Sequence, residues 1–137
     1  MDNKIIIYTD GGAKRNPGPA SIGAVIHLSE KQKKEYSERI GETTNNIAEY
    51  SAVIFALKKL KQLVGKDDAK KKYVEVRSDS QLLVSQINGE YKIKNEGMKE
   101  KFIELWNIKQ DFKNVEFKHI PREENTAADR LVNEAML

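Results

Sequence analysis

Apolar positions along the first half of the chain change rhythm once, from the short runs of strands to the longer repeat of a helix. Lys4 to Thr9 is a β-rich apolar run closed by Asp10-Gly11-Gly12, which predicts a buried strand. Ser21 to Leu28 and Lys33 to Ile40 predict two more, with Glu30-Lys31-Gln32 as a polar turn between them. Such short connections suit an antiparallel meander. From Thr44 to Val64 the pattern is helical. Tyr50, Val53, Leu57, Leu60 and Val64 share one face, and Lys58, Lys59 and Lys61 take the other. Gly65 ends that helix.

The remainder alternates between the two patterns. Lys66 to Lys72 reads as a charged linker, Tyr73 to Arg77 as a fourth strand, and Ser80 to Ile87 as a short helix stopped by Asn88-Gly89. Met98 to Asp111 predicts a helix with Phe102, Leu105 and Trp106 on one face. Val115 to His119 is the fifth strand, and Thr126 to Met136 a last helix after the polar loop Pro121 to Asn125. The order βββαβααβα defines an α/β fold, a five-stranded mixed sheet with helices on both faces. Strands four and five each follow a helix, so right-handed crossovers place them parallel to strand one. No internal repeat occurs, and a length of 137 residues predicts one compact domain over 1–137.

Composition narrows the setting more than the chemistry. The absence of cysteine excludes disulfides and thiolate metal sites and suits a reducing compartment. Ile5-Ile6-Ile7 is far too short a run for a signal peptide or a membrane span, so a cytoplasmic protein with no membrane partner is expected. A monomer is expected as well. The net charge of +3, from 24 basic and 21 acidic residues, is compatible with a phosphate-bearing partner. Most of that excess is accounted for by lysines on solvated helix faces.

Four acids carry the candidate chemistry, and each also has an ordinary explanation. Asp10-Gly11 is a common turn dipeptide. Glu49 stands at capping-box distance from Asn46, and Asp129 at the same distance from Thr126. Asp79 can cap the helix after its strand. Their joint placement argues otherwise. Asp10 and Asp79 end predicted strands, at the edge where open α/β sheets bind ligands. Glu49 and Asp129 occupy the first turns of helices that cross the same sheet. Two unit charges about 4 Å apart repel by roughly 4 kcal/mol at an effective dielectric near 20. Four ionised carboxylates in one small volume therefore require cations. With no His or Cys cluster, hard oxygen donors favour Mg²⁺ or Mn²⁺ over zinc, and two ions match in-line phosphoryl displacement. A shared proton, as in an acid/base dyad, explains two acids well and four poorly.

Four segments resemble the type 1 ribonuclease H family. They are Tyr8-Thr9-Asp10-Gly11-Gly12 with Asn16-Pro17-Gly18-Pro19, Thr43 to Glu49, Ser78-Asp79-Ser80-Gln81, and His119 through Asn125 to Asp129. They come in the family's order and span nearly the whole chain. The resemblance implies the ribonuclease H-like fold, with sheet order 3-2-1-4-5. It also implies cleavage of the RNA strand of RNA–DNA hybrids, leaving 5′-phosphate and 3′-hydroxyl ends. Asp10, Glu49, Asp79 and Asp129 would hold the two ions, with Asp10 bridging both. His119, ten positions before Asp129, matches the family's mobile histidine, which relays a proton or helps product leave. The bland reading of His119 is a strand-end residue satisfied by neighbouring backbone.

A side-chain amide both donates to and accepts from a 2′-hydroxyl, as RNA recognition requires. Asn16, Asn46 and Gln81 occupy matching motif positions, and Gly11 and Thr44 resemble further nucleic-acid contacts. Thr44 is similar to the threonine of the family's phosphate pocket for the DNA strand. Asn16 also reads as a turn residue before Pro17, and Asn46 as a helix cap. Some relatives insert a strongly basic helix between the segments matching Gln86 and Lys99. Here only Asn88 to Gly97 stands there, so Lys14, Arg15, Lys92 and Lys94 are expected to carry the grip. Two other readings remain: a DNA-directed nuclease of the same superfold, and a nucleic-acid-binding module without catalysis.

Overall fold

The computed structural model describes residues 4–137. Its five strands are β1 (Lys4–Ala13), β2 (Gly18–His27), β3 (Lys33–Thr43), β4 (Tyr73–Ser78) and β5 (Asn114–His119). They form one sheet in the order β3-β2-β1-β4-β5. β1 pairs antiparallel with β2 and β2 with β3, whereas β4 runs parallel to β1 and β5 parallel to β4. The helices are α1 (Asn45–Val64), the single turn α2 (Lys66–Ala69), α3 (Gln81–Ile87), α4 (Glu96–Lys109) and α5 (Thr126–Ala135). A 3-10 turn, Arg122–Glu124, precedes α5. No helix among the described residues is long and apolar enough to cross a membrane.

The core lies between one sheet face and α1. Alternation in β1 turns Ile5 and Ile7 into it, and the helical repeat of α1 sends Tyr50, Val53, Leu57 and Leu60 to meet them. Gly65, at a φ of 90°, stops α1, a backbone conformation that a side chain would strain. α4 packs outside α1, and α5 covers the opposite face over β1, β2 and β3.

Several boundaries differ from expectation. β1 does not close at Asp10-Gly11-Gly12 but continues to Ala13, because β2 pairs with it from Ile6 as far as Ala13. β3 runs on to Thr43, and the charged linker contains α2. In α4 Leu105 is buried and Phe102 packs against the core, but Trp106 is half exposed. A residue one step beyond Leu105 is rotated about 100° from it, off the packed face.

The unequal lengths of β1 and β4 open the sheet. Their parallel pairing ends at Thr9 and Ser78, so β1 reaches four residues past its neighbour while staying bonded to β2. Both covering helices approach closely there. A Cβ on Gly11 would lie 2.3 Å from the Ala48 carbonyl oxygen of α1, and one on Gly23 would lie 2.4 Å from the Ala128 carbonyl oxygen of α5. Glycine at these two positions lets the helices reach the sheet where β4 stops.

Candidate active site

Asp10 is the first β1 residue beyond the β4 register, and Asp79 directly follows β4. Asp10 pairs with Gly23, so its side chain shares the face of the sheet that α5 covers. Glu49 comes from α1 and Asp129 from α5, each one residue past the helix carbonyl that rests on a glycine. The four line one cleft of about 410 Å³ with Gly11, Lys14, Asn45, Arg122 and Asn133. Single carboxylate oxygens of Asp10, Glu49 and Asp79 lie within 4.8 Å of one another.

None of the ordinary explanations accounts for these acids. Asp10-Gly11 lies inside a strand and not in a turn. The cap of α1 is Thr44, whose hydroxyl accepts the Ile47 N–H at 3.2 Å, so Asn46 caps nothing. Ser80, not Asp79, caps α3 through the Leu83 N–H. Thr126 is already inside α5, and Asn125 before it makes no side-chain cap bond. The carboxylates are left facing one another across the cleft.

Their electrostatics reflect that crowding. Asp10, only 8% exposed, is pushed up to about 7 by burial, then by the charges of Asp79 and Asp129. Glu49 is raised well above the ordinary glutamate value by burial, then by Asp10 and Asp79. The Gly11 N–H, beyond the reach of β4, donates to Glu49 Oε1 at 3.1 Å, and the Arg122 charge also favours the ionised form. A compact all-oxygen donor set whose ionisation is opposed by its own charge fits a hard divalent cation.

The amide of Asn125 bridges the gap between the strands. It is 1% exposed, and its Nδ2 donates to the Thr9 carbonyl at 2.9 Å and to Asp79 Oδ2 at 3.2 Å. Asn133 Nδ2 reaches Asp129 Oδ2 at 3.4 Å, and Asn45 Oδ1 accepts the Ala13 N–H at 2.8 Å. Asn45, Arg122, Asn125 and Asn133 were missed as site residues. Asn125 reads only as the last residue of the polar loop before the helix. Nothing in a single sequence distinguishes a loop amide from a bridge across two strands.

Of the other candidate residues, Gly11 and Lys14 line the cleft and the rest do not. His119 is exposed at the end of β5, in register with Ser78, and does not line the acidic cleft. Asn16 Oδ1 accepts the Asn45 N–H at 2.9 Å, at the start of α1. Asn46 and Gln81 are exposed in the first turns of α1 and α3. Lys14 Nζ donates to the Met136 carbonyl at 3.3 Å, and Arg15 is exposed in the loop before β2. Lys92 and Lys94 are exposed in the helix-free connector between α3 and α4.

Fold and site together define a ribonuclease H-like α/β domain, and comparison agrees. Residues 8–135 match the family model described as reverse transcriptase-like. The bifunctional protein Rv2228c of Mycobacterium tuberculosis is 35% identical over 97% of this chain and 35% of its own length. The chain thus spans about a third of that relative. Ribonuclease H of Clostridium botulinum is 34% identical, with 97% of this chain and 95% of that protein covered. LC11-RNase H1, isolated from compost by a metagenomic approach and solved in complex with an RNA/DNA hybrid, superposes with a TM-score of 0.88. It is 52% identical over 96% of this chain and 95% of its own. The chain belongs to the ribonuclease H family.

Proposed function

We propose that this chain is a divalent-metal-dependent endoribonuclease that hydrolyses the RNA strand of RNA–DNA hybrids. In this reading it acts as a monomeric catalytic domain over 1–137, in the cytoplasm, and leaves 5′-phosphate and 3′-hydroxyl ends. The convergence of Asp10, Glu49 and Asp79 within 4.8 Å at the open end of the β1–β4 pair carries the reading. The hybrid bound to LC11-RNase H1 supports the substrate class.

Asp10, Glu49, Asp79 and Asp129 would hold two Mg²⁺ ions, or Mn²⁺ in their place. Bound there, the ions supply activation of the attacking water and charge stabilisation at the departing 3′-oxygen. The protein's own part is alignment. Gly11 fixes Glu49 through its N–H, and Asn125 fixes Asp79. Arg122 offsets negative charge beside Glu49. His119, exposed one strand away, is free to move a proton at the leaving group as product departs.

Selection of RNA falls to the amides of Asn16, Asn46 and Gln81, which suit a 2′-hydroxyl. Thr44 at the start of α1 and the cations Lys14, Arg15, Lys92 and Lys94 suit the phosphates. End-labelled RNA–DNA, DNA–DNA and RNA–RNA duplexes, incubated with Mg²⁺, Mn²⁺ or EDTA, test the reading. Metal-dependent cutting of the hybrid RNA strand, lost in Asp79→Asn, is expected. Cutting of DNA–DNA instead, or binding without cutting under either metal, overturns it.

A further inference from the structure

Residues 88–95 form no helix, yet they carry Lys92 and Lys94. Cations on a wandering loop grip weakly, because ordering the loop opposes the binding that orders it. This loop is tied down at successive points. The Glu90 and Tyr91 N–H groups both donate to the Ser85 carbonyl, at 2.8 and 3.2 Å. Gly89 makes the turn between at a φ of 83°. Ile93 packs against the core, and Asn95 Oδ1 accepts the Met98 N–H to start α4. Lys92 and Lys94 flank the inward Ile93 and are both exposed.

The deepest tie is polar and built from two buried side chains. Gln86 is 6% exposed and Tyr50 is fully buried. Tyr50 Oη donates to Gln86 Oε1 at 2.7 Å, and Gln86 Nε2 donates to the Lys92 carbonyl at 3.1 Å. The amide has one orientation that satisfies both partners. A polar chain through an apolar core destabilises the fold unless every member is bonded, so its endpoint matters. That endpoint is the backbone of Lys92. Its origin is the residue next to Glu49 on α1.

We propose that Gln86, braced by Tyr50, is a positioning residue that pre-orders the α3–α4 connector so that Lys92 and Lys94 meet the phosphate backbone of the hybrid. The proposal rests on the hybrid reading above. Neither Gln86 nor Tyr50 touches substrate; both act through the connector backbone.

The test uses the full chain, with Gln86→Leu, Tyr50→Phe, Lys92→Ala/Lys94→Ala and the combined variants, each first checked for folding by circular dichroism. Hybrid affinity is read by fluorescence anisotropy in Ca²⁺, and KM and kcat separately in Mg²⁺. Gln86→Leu is expected to raise KM and Kd about three- to tenfold while kcat moves less than about twofold, and to flatten the salt slope by about one phosphate contact. The lysine pair replaced in the Gln86→Leu background is expected to add little further loss. Additive losses, or a fall in kcat at constant KM, overturn the proposal. If Gln86→Leu does not fold, Tyr50→Phe decides by the same readouts. Wild type that cuts hybrid with KM insensitive to Gln86 sinks this inference alone. Wild type that neither binds nor cuts hybrid sinks both it and the hybrid reading.

Discussion

Asn125 holds Asp79 by an N–H···O bond of 3.2 Å while the same nitrogen closes on the Thr9 carbonyl at 2.9 Å. One amide thus ties the ends of two strands that no longer pair with each other and aims one of the four acids. Asn125→Ala is expected to reduce stability by about 1–3 kcal/mol, since a buried carbonyl loses its donor. It is also expected to weaken metal affinity about 10- to 100-fold, as loss of a ligand's hydrogen-bond partner does elsewhere. Chemical denaturation and Mn²⁺ titration calorimetry check the two effects separately. Unchanged metal affinity would show that Asp79 is aimed by other means.

Stability without metal should depend on pH through Asp10. Its carboxyl titrates at about 7 in the folded protein, against 3.8 ordinarily. Below pH 3.8 it is protonated folded or unfolded and favours neither state. As pH rises towards 7 the unfolded chain gives up the proton readily, while the folded site must do so against burial, Asp79 and Asp129. The EDTA-treated protein therefore loses stability across that window relative to Asp10→Asn, whose amide does not titrate. Parallel melting curves from pH 4 to 8 check the difference. Added Mg²⁺ is expected to raise the wild-type Tm most at the alkaline end.

Gly11→Ala places a methyl against backbone that has no rotamer to yield, 2.3 Å from the Ala48 carbonyl oxygen. We expect a loss of about 1–3 kcal/mol from overpacking. Activity at temperatures where the variant is folded should also fall, because α1 carries Glu49 away from Asp10. A crystal structure of the variant with α1 unmoved would contradict this account.

His119→Ala is expected to slow turnover by roughly a hundredfold or more, without abolishing it. Metal-induced stabilisation should be unchanged, because His119 lies outside the acidic cleft. Single-turnover cleavage of hybrid separates a slower chemical step from slower product release. Activity equal to wild type would remove His119 from the mechanism.

Much of this architecture was legible because its signals are local and periodic. The α1 repeat through Tyr50, Val53, Leu57 and Leu60 names residues that are all buried, and Gly65 stops the helix where expected. The strand order came from the resemblance, and the structure bears it out. What escaped depends on partners far along the chain. Asp10-Gly11-Gly12 looks like a turn until β2 pairs across it. Asn125 looks like an ordinary loop residue until β1 and β4 are seen to part. The four acids were found, but not why their helices approach so closely, which lies in the carbonyls resting on Gly11 and Gly23.

Those two glycines have a further consequence. Neither offers a side chain to an ion or a phosphate, yet each decides how near its helix, and the acid one residue on, can come to Asp10. The distance between donor oxygens is therefore a dimension separate from their identity. Divalent cations differ in radius more than in charge, and their preferred oxygen distances differ accordingly. The oxygen spacing that any such ion would meet is thus set at two backbone positions that carry no side chain.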